Sequence, residues 1–231
     1  NIPDGLGFIG AARHTSPAEY IYYYDGLPTA HTGWLTSNGY TRYYQNSCRN
    51  ARLCWLKESD GRYSYLDEDG TKIYGWINDK GTYYYLKKDG YLAKGWFKDN
   101  DFWYYLDSST GAMKTGWLKD NNSWYYLNSN GTMAAGMTKI GSSTYYLDPS
   151  SGKMKTGWLS LSDGWYYFDP NGVRYEKGWH WINGKCYYMY NSAIMAADTW
   201  IGSDYVDASG VWIKDYKVTK NRWVKYEDRW W

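Results

Sequence analysis

The sequence predicts an all-β protein, a solenoid of stacked β-hairpins with atypical terminal units. Three observations predict it: a Gly-Trp pair or a close substitute recurs every 20 or 21 residues, two or three aromatic residues follow about seven residues later, and turn residues fall between them. A period of this length, held along the chain, is typical of repeat proteins whose small units pack on their neighbours. The recurring residues are Trp34, Trp55, Trp76, Trp96, Trp117, Met137, Trp158, Trp179 and Trp200.

Each unit is predicted to be a short antiparallel hairpin, which we number from its Gly-Trp tryptophan as position zero. Two-residue turns at positions four and five, between aromatic runs, are a strong hairpin signal. Position two then pairs with seven, one with eight and zero with nine, so positions zero, seven and nine share one face. Positions one, eight and ten share the other face, which we expect to be packed because one and ten are mostly aliphatic. The turn pairs are Lys80-Gly81, Asn100-Asp101, Asn121-Asn122 and Asn183-Gly184.

A loop with its own glycine follows each hairpin and returns the chain to the next unit. An isolated hairpin is marginal in water, so neighbouring units must stack. The loop glycines are Gly70, Gly90, Gly111, Gly131, Gly152 and Gly172.

The two ends depart from the period. We expect an atypical amino-terminal segment with a truncated repeat at 1–30, the repeat solenoid at 31–210 and a capping tail at 211–231. The run Tyr22-Tyr23-Tyr24 is typical of the second strand of a truncated unit. The tryptophans expected to cover the open end are Trp223, Trp230 and Trp231.

Composition and charge exclude several function classes. The formal net charge is +2 with charges interspersed, so the chain lacks the basic stripe that nucleic-acid binding needs. No apolar run approaches the ~20 residues that span a bilayer. The first residues lack the regions of a signal peptide, which indicates either an intracellular protein or a mature or trimmed fragment of a secreted one.

The sequence offers no catalytic or metal-binding constellation, so we expect neither an enzyme nor a cofactor. The histidines His14, His31 and His180 lack metal-ligand spacing, and no nucleophile, zinc or phosphate-loop motif occurs. His180 occupies position one, where a structural role is expected. Cys48 and Cys54 are close enough in sequence for a disulfide, and the pattern leaves open whether they are bridged.

Residues 95–107 read Gly-Trp-Phe-Lys-Asp-Asn-Asp-Phe-Trp-Tyr-Tyr-Leu-Asp, and the loop 111–117 reads Gly-Ala-Met-Lys-Thr-Gly-Trp. Gly-Trp, a turn, Trp-Tyr-Tyr and Gly-x-Met at fixed spacing resemble the choline-binding (cell-wall-binding) repeats of pneumococcal and related surface proteins, over most of the chain. This resemblance implies an extracellular protein, anchored without covalent linkage to phosphocholine on wall teichoic and lipoteichoic acids of the bacterial surface.

The resemblance also implies where choline binds. In the family it lies between consecutive hairpins, walled by two Trp of one repeat and a Tyr of the next, often with a Met nearby. A quaternary ammonium donates no hydrogen bond, so aromatic faces are its selective partners. We expect the position-eight Tyr of the following hairpin to close each cage, with position-nine residues such as Tyr126 and Tyr188 as the alternative. The three complete sets are Trp96 and Trp103 with Tyr125, Trp117 and Trp124 with Tyr145, and Trp158 and Trp165 with Tyr187.

Two further units are predicted to hold variant cages. Trp76 with Tyr83 and Tyr104 forms the first set. Trp179 forms the second with Trp181, the predicted cross-strand partner of Cys186 at position seven.

Other units are expected to hold no cage. Met137 and Thr144 replace both tryptophans of one unit. Near Trp34 and Trp55 the spacing is expected to slip by one residue, bringing Arg42 and Arg62 close to the usual Trp position, where a guanidinium would repel choline.

The sequence leaves other interpretations open. For any single aromatic residue, sheet packing is the simpler role, whereas two indoles side by side on the face opposite the aliphatic residues predict a ligand. Similar repeats bind glucans, with Asp, Asn and Gln beside the stacking rings. The chain is alternatively the wall-targeting module of a murein hydrolase, or a free-standing virulence-associated surface protein that acts as an adhesin for a host protein or competes for choline sites.

Overall fold

The structure, a computed structural model, describes residues 54–67 and 70–216 together with short strands on either side of them. All regular structure in these described parts is β, which confirms the all-β prediction. Contacts divide the chain into two compact units, residues 1–116 with 127–133 and residues 117–126 with 134–231. The predicted boundaries at residues 30 and 210 separate the repeats from the two ends of the chain. The division by contacts does not test them, and they stay a prediction.

The first unit contains twelve strands. They are β1 (Gly5–Phe8), β2 (Tyr20–Tyr24), β3 (Leu27–Pro28), β4 (Gly33–Ser37), β5 (Tyr40–Gln45), β6 (Arg49–Asn50), β7 (Cys54–Lys57), β8 (Tyr63–Leu66), β9 (Gly75–Asp79), β10 (Thr82–Leu86), β11 (Gly95–Asp99) and β12 (Phe102–Leu106).

The second unit contains most of β13 and β14 and all later strands. They are β13 (Gly116–Asp120), β14 (Ser123–Leu127), β15 (Gly136–Ile140), β16 (Ser143–Leu147), β17 (Gly157–Leu161), β18 (Gly164–Phe168), β19 (Gly178–Ile182), β20 (Lys185–Met189), β21 (Thr199–Ile201), β22 (Asp204–Val206), β23 (Trp212–Ile213), β24 (Lys225–Tyr226) and β25 (Arg229–Trp230).

The repeating element is the predicted antiparallel hairpin with the predicted register. In β11 and β12, Trp96 pairs with Tyr105, Phe97 with Tyr104, and Lys98 with Trp103. The same pairing of zero with nine, one with eight and two with seven holds in β9/β10, β15/β16, β17/β18 and β19/β20. The turns use left-handed backbone conformations, as at Lys80 with φ 52° and Gly81 with φ 87°, which match the twist of a two-residue hairpin.

The centre of each hairpin repeat is formed by position ten, at the end of its second strand. This residue and its equivalents in the irregular hairpins are fully buried, with 0% exposure. The predicted packed face is therefore confirmed at position ten, whereas the position-one residues of β9, β11, β13 and β17 are only half-buried. The buried residues are Leu66, Leu86, Leu106, Leu127, Leu147, Phe168, Met189 and Val206.

Within each of the two compact units, consecutive hairpins are joined by a backbone hydrogen bond. It runs from the loop after one hairpin to position seven of the hairpin before it. In the first unit the Met113 amide donates to the Tyr83 carbonyl at 2.8 Å. In the second unit the Met154 amide donates to the Trp124 carbonyl, also at 2.8 Å. Stacking therefore repeats through the loops, because the loop satisfies a carbonyl that an isolated two-stranded hairpin leaves unpaired.

The loops also stack on one another, and their glycines make this possible. Gly131 has φ 84°, and a Cβ atom built on it would lie 2.3 Å from the sulfur of Met113. Only a glycine accepts both the left-handed backbone and the close approach of the preceding loop.

The irregular hairpins show where the predicted spacing was right and where it was wrong. In β4/β5, Leu35 pairs with Arg42 and Thr36 with Thr41, so this hairpin does not slip; Arg42 takes position eight, and Thr41 position seven. In β7/β8, Trp55 pairs with Tyr65, so the predicted slip is confirmed there. The physical reason is turn length, because the link from β7 to β8 is longer than two residues.

The amino-terminal strands differ from a plain truncated repeat. Tyr22-Tyr23-Tyr24 lies in β2, the central strand of a sheet in which Tyr23 pairs with both Gly5 and Pro28. The strand β1 comes from a segment without periodicity, and the sequence analysis did not predict it.

Several predictions concern residues outside the described parts. Cys48, Trp223 and Trp231 lie outside them, as do His14 and His31, so the disulfide and the aromatic cap stay predictions. The described residues contain no helix long and apolar enough to cross a membrane and no cluster of three metal-ligating side chains.

Candidate functional site: aromatic cages between hairpins

The second unit brings together one complete predicted set around Trp117. The Tyr145 ring, from the next hairpin, lies 4.8 Å from the Trp117 ring between centroids, and the Trp124 ring lies 6.2 Å away at 89°. Trp124 is 41% exposed, and its carbonyl accepts a hydrogen bond from the Met154 amide. The rings of Trp124 and Tyr145 thus both lie close to Trp117, on a hairpin whose backbone is bound by a loop methionine.

The contact between a tryptophan and the tyrosine of the next hairpin recurs around Trp158. The Tyr187 ring lies 4.7 Å from the Trp158 ring, and Trp165 on the same hairpin face is 47% exposed. The Met195 amide donates to the Trp165 carbonyl at 2.8 Å. Position two opposite Trp165 is Ser160, a small residue, so the exposed indole stands beside no bulky neighbour across the hairpin.

The two tyrosines that follow each tryptophan have different places. The position-nine Tyr packs on the tryptophan of its own hairpin, as Tyr167 does on Trp158 at 5.0 Å. The position-eight Tyr instead packs on the tryptophan of the preceding hairpin, as Tyr145 and Tyr187 do. Position eight therefore supplies the ring between hairpins, because it lies on the face that stacks on the previous unit.

The Trp76 set lies in the first unit. The Tyr104 ring lies 4.8 Å from the Trp76 ring, and Tyr83 is exposed beside Met113. The indole nitrogen of Trp76 donates to Asp99 at 3.0 Å. Burial raises the pKa of Tyr104, and the nearby Asp99 charge raises it further. Asp99 was not among the predicted site residues, although position three is acidic in several repeats and is therefore a recognisable signal.

The remaining complete set is divided between the two units. Trp96 packs on Tyr105 of its own hairpin at 5.1 Å, and Trp103 is exposed with its carbonyl bound by the Met133 amide, all in the first unit. Tyr125 lies in the second unit and is buried.

The Trp179 set contains an aromatic residue that the sequence analysis missed. Trp181 pairs with Cys186 as predicted and is 68% exposed. The Trp212 ring lies 6.3 Å from the Trp179 ring at 64°. Trp212 stands outside the Gly-Trp period, but it follows Gly210 as the loop methionines follow their glycines, so the Gly-x-Met spacing was a signal that could have indicated it. Burial raises the pKa of the Cys186 thiol.

The next aromatic cluster, around Trp200, was also missed. The rings of Tyr205 and Tyr216 stack at 4.1 Å and 17°, and both lie within 6 Å of Trp200. The hydroxyl of Tyr205 donates to Asp198, and this bond raises the pKa of Tyr205 to about 12. Tyr205 is at position five of a shortened hairpin, where it pairs with Trp200. The predicted numbering places that partner at position nine, so Tyr205 was not predicted.

The unit without cage tryptophans carries a cation in the loop. Arg174 takes the place of the loop methionine, and its amide donates to the Thr144 carbonyl at 2.8 Å. Its guanidinium pairs with Glu176 at 2.9 Å. His180 is structural as expected, since its ring stacks on Tyr175 at 4.4 Å and donates to the Glu176 carbonyl.

The surface at Trp34 is filled by the chain's own cation. Lys72 places its ammonium 4.8 Å from the Trp34 ring, 3.8 Å from the Tyr91 ring and 3.0 Å from Glu58. The guanidinium carbon of Arg62 also lies over the Tyr91 ring, 3.5 Å from its centroid. Trp34, Glu58, Lys72 and Tyr91 line a cavity of about 630 Å³.

The acid in that cavity is held ionised. Burial disfavours the charge on Glu58, but hydrogen bonds from Trp34, Lys72 and Ser64 outweigh burial and lower the pKa of Glu58. The cavity therefore contains a completed ion pair over aromatic rings rather than an open aromatic cage.

Comparisons with known proteins agree with this geometry. The model of the choline-binding repeat matches residues 73–115 and 114–158, and that of the putative cell wall binding repeat matches residues 156–173. Among curated protein sequences none matches the chain significantly.

Solved structures match over most of the chain. CbpJ from Streptococcus pneumoniae TIGR4 is 31% identical with a TM-score of 0.75, covering 88% of this chain and 79% of CbpJ. Choline binding protein F from the same species is 28% identical with a TM-score of 0.74, covering 90% and 84%. The choline-binding domain of CbpL from Streptococcus pneumoniae is 31% identical with a TM-score of 0.60, covering 81% of this chain and 100% of that domain. Repeat motif, hairpin register and these identities together show that the chain belongs to the choline-binding protein family.

Proposed function

We propose that this chain is a non-catalytic module that binds choline of teichoic and lipoteichoic acids and attaches its carrier non-covalently to the outside of the bacterial cell wall. The observation that carries this proposal is the pair of aromatic clusters around Trp117 and Trp158 in the second unit. In each, a tyrosine of the next hairpin packs on the position-zero tryptophan, and an exposed tryptophan of the same hairpin face accepts a backbone hydrogen bond from a loop methionine.

The chemistry of these cages fits a quaternary ammonium. Aromatic faces attract a cation and contact its methyl groups, and they require no hydrogen-bond donor from the ligand. Two exposed indoles side by side are also an apolar surface that a soluble protein rarely leaves without a ligand. We assign choline first to the Trp117 and Trp158 cages, with the Trp76 and Trp179 sets as variants, and the set of Trp96, Trp103 and Tyr125 stays a prediction from the sequence.

Several weak sites explain how such a module holds a protein on a polymer. A partly desolvated cation–π contact contributes roughly 1 to 2 kcal/mol, so a three-walled cage binds with a dissociation constant on the order of millimolar. Several cages meeting a polymer with repeated choline raise the avidity by about 10² to 10⁴.

The relatives support wall attachment. A structure of choline binding protein F, 27% identical to this chain, was obtained in the presence of a peptidoglycan analogue, a tetrasaccharide-pentapeptide. By the same likeness we assign the chain to the cell surface.

The test is retention on a diethylaminoethyl matrix at high salt. We expect free choline to elute the protein and glucose polymers to leave it bound. Retention that glucose polymers displace and choline does not would overturn the proposal and favour a glucan-binding module.

A variant experiment tests the cage residues. We expect Trp103→Ala combined with Trp124→Ala and Trp165→Ala to abolish retention while thermal unfolding changes little, because all three side chains are exposed. Phe102→Ala is the matched control, since Phe102 is also exposed but lies on the opposite hairpin face. Unchanged retention of the triple variant would contradict the cage assignment.

A further inference from the structure

The hairpin that follows Trp179 is shortened, and this changes which residue faces the Trp179 cage. In β21/β22, position-one Ile201 pairs with Asp204. In complete hairpins the residue opposite position one is a tyrosine, as for Leu159 and Tyr166. That tyrosine is the residue that closes the preceding cage. At the Trp179 cage a carboxylate therefore stands in the place of the closing ring.

The loop residue of this cage is also replaced. Val206 pairs with Trp212, as Leu147 pairs with Met154 beside the Trp117 cage. The indole nitrogen of Trp212 donates to Asp204 Oδ1 at 2.9 Å. Trp212 thus adds a third indole and fixes one oxygen of the carboxylate. In the described part of the chain no hydrogen-bond donor contacts the other oxygen, Oδ2.

The remaining walls are exposed tryptophans. Trp181 is 68% exposed and shares a hairpin face with Trp179, because the two are two residues apart in one strand. Cys186, opposite Trp181, is small and buried. The Asp204 charge adds to the burial that raises the pKa of this thiol, so the carboxylate lies close to the same hairpin face.

We propose that Trp179, Trp181, Trp212 and Asp204 form a cation site that prefers ammonium groups bearing an N–H, such as protonated dimethylethanolamine, over the quaternary ammonium of choline. The proposal rests on the proposed function, since it takes the same aromatic attraction of cations as its basis. Aromatic faces attract both cations. Only the ligand with an N–H donates a charge-assisted hydrogen bond to Asp204 Oδ2.

The experiment follows the indole N–H signals of the full chain by NMR, assigned with single Trp→Phe variants, during titration with dimethylethanolamine or choline. The ratio of the two affinities at Trp212 is compared with the ratio at Trp124 and Trp165. We expect the ratio at Trp212 to favour dimethylethanolamine by at least about fivefold more than at the other two sites.

Variants separate the carboxylate from the rings. Asp204→Asn should remove the preference, whereas Asp215→Asn, which changes the net charge equally at an exposed residue, should keep it. Trp181→Ala should weaken both ligands at Trp212.

The outcomes distinguish the two proposals. Equal ratios at Trp212, Trp124 and Trp165, or a preference that survives in Asp204→Asn, would overturn this inference and leave choline binding intact. Absence of any choline-dependent shift at Trp124 and Trp165 would instead overturn the proposed function.

Discussion

The ammonium of Lys72 lies 4.8 Å from the centre of the Trp34 indole ring. Lys72 pairs with Leu66 in the loop position that a methionine takes beside the Trp117 and Trp158 cages. The Trp34 surface is therefore already occupied by a cation from the same chain, which uses the interaction proposed for choline. This contact explains why Trp34, although it is a position-zero tryptophan, belongs to an internal ion-pair site rather than to an open aromatic cage.

Replacing this lysine should open the surface. In Lys72→Met we expect choline to shift the indole N–H signal of Trp34, because the Trp34 ring and the Glu58 carboxylate lose their ammonium, while Arg62 stays on Tyr91. In the wild-type protein the signal should not respond. Lys98→Met, a change at an exposed lysine, is the control. An equal response of Trp34 in wild-type protein would show that Lys72 does not occupy the site.

The ion pair at Trp34 should persist in mild acid. Hydrogen bonds from Trp34, Lys72 and Ser64 hold the pKa of Glu58 below its ordinary 4.5 against the effect of burial. A lowered folded-state pKa means that the stabilisation is complete above the unfolded-state pKa and is lost as pH falls through the folded-state value. We expect the Trp34 indole signal to stay constant from neutral pH to about 4.5 and to change only below.

The control for this pH dependence is Glu58→Gln. It should remove the acid transition of the Trp34 signal. A transition centred above the ordinary glutamate pKa would contradict the assigned hydrogen bonds.

A cage should be recoverable in the unit that lacks one. Met137→Trp, Thr144→Trp and Arg174→Met restore the two indoles and the loop methionine, and Tyr166 of the next hairpin supplies the third ring. We expect the two introduced indole signals to shift with choline, with a dissociation constant on the order of millimolar.

The double variant that keeps Arg174 is the matched control for this cage. The ion pair with Glu176 offsets only part of the guanidinium charge. We therefore expect Arg174 to repel the cation and to weaken binding about tenfold, which corresponds to about 1.4 kcal/mol. Equal binding in the double and triple variants would show that the loop position is irrelevant.

Loop stacking should be sensitive to one methyl group. Gly131→Ala places a Cβ 2.3 Å from the Met113 sulfur at φ 84°. Gly95→Ala is the control, because its φ of 74° is similar but no atom lies within 4 Å of the added Cβ. We expect a loss in the free energy of unfolding of about 1 kcal/mol for Gly95→Ala from the backbone alone. Overpacking should add about 1–3 kcal/mol for Gly131→Ala. Denaturant unfolding measures both, and equal losses would contradict the stacking of loops.

Much of the fold followed from local sequence, because a two-residue turn and strand alternation together set a hairpin register. The turn at Lys80-Gly81 was enough to predict that Trp76 and Tyr85 face the same side. The prediction failed at Arg42, where the aromatic spacing suggested a slip that the short turn before it does not contain. Local sequence patterns therefore predict the pairing within one hairpin, but not the contacts between hairpins.

The sequence by itself determined the hairpin unit, the buried position ten and the tandem tyrosines, since these depend on residues within one period. The sequence favoured the position-eight tyrosine for the contact between hairpins and left position nine open; the tertiary structure decided between them and showed which loop residue lies beside each pair. Lys72 over Trp34 and Trp212 beside Trp179 come from different repeats, and chain stacking, rather than spacing, brings them together. A cage between hairpins is a property of two neighbours, so its occupancy and selectivity depend on side chains that no single repeat contains.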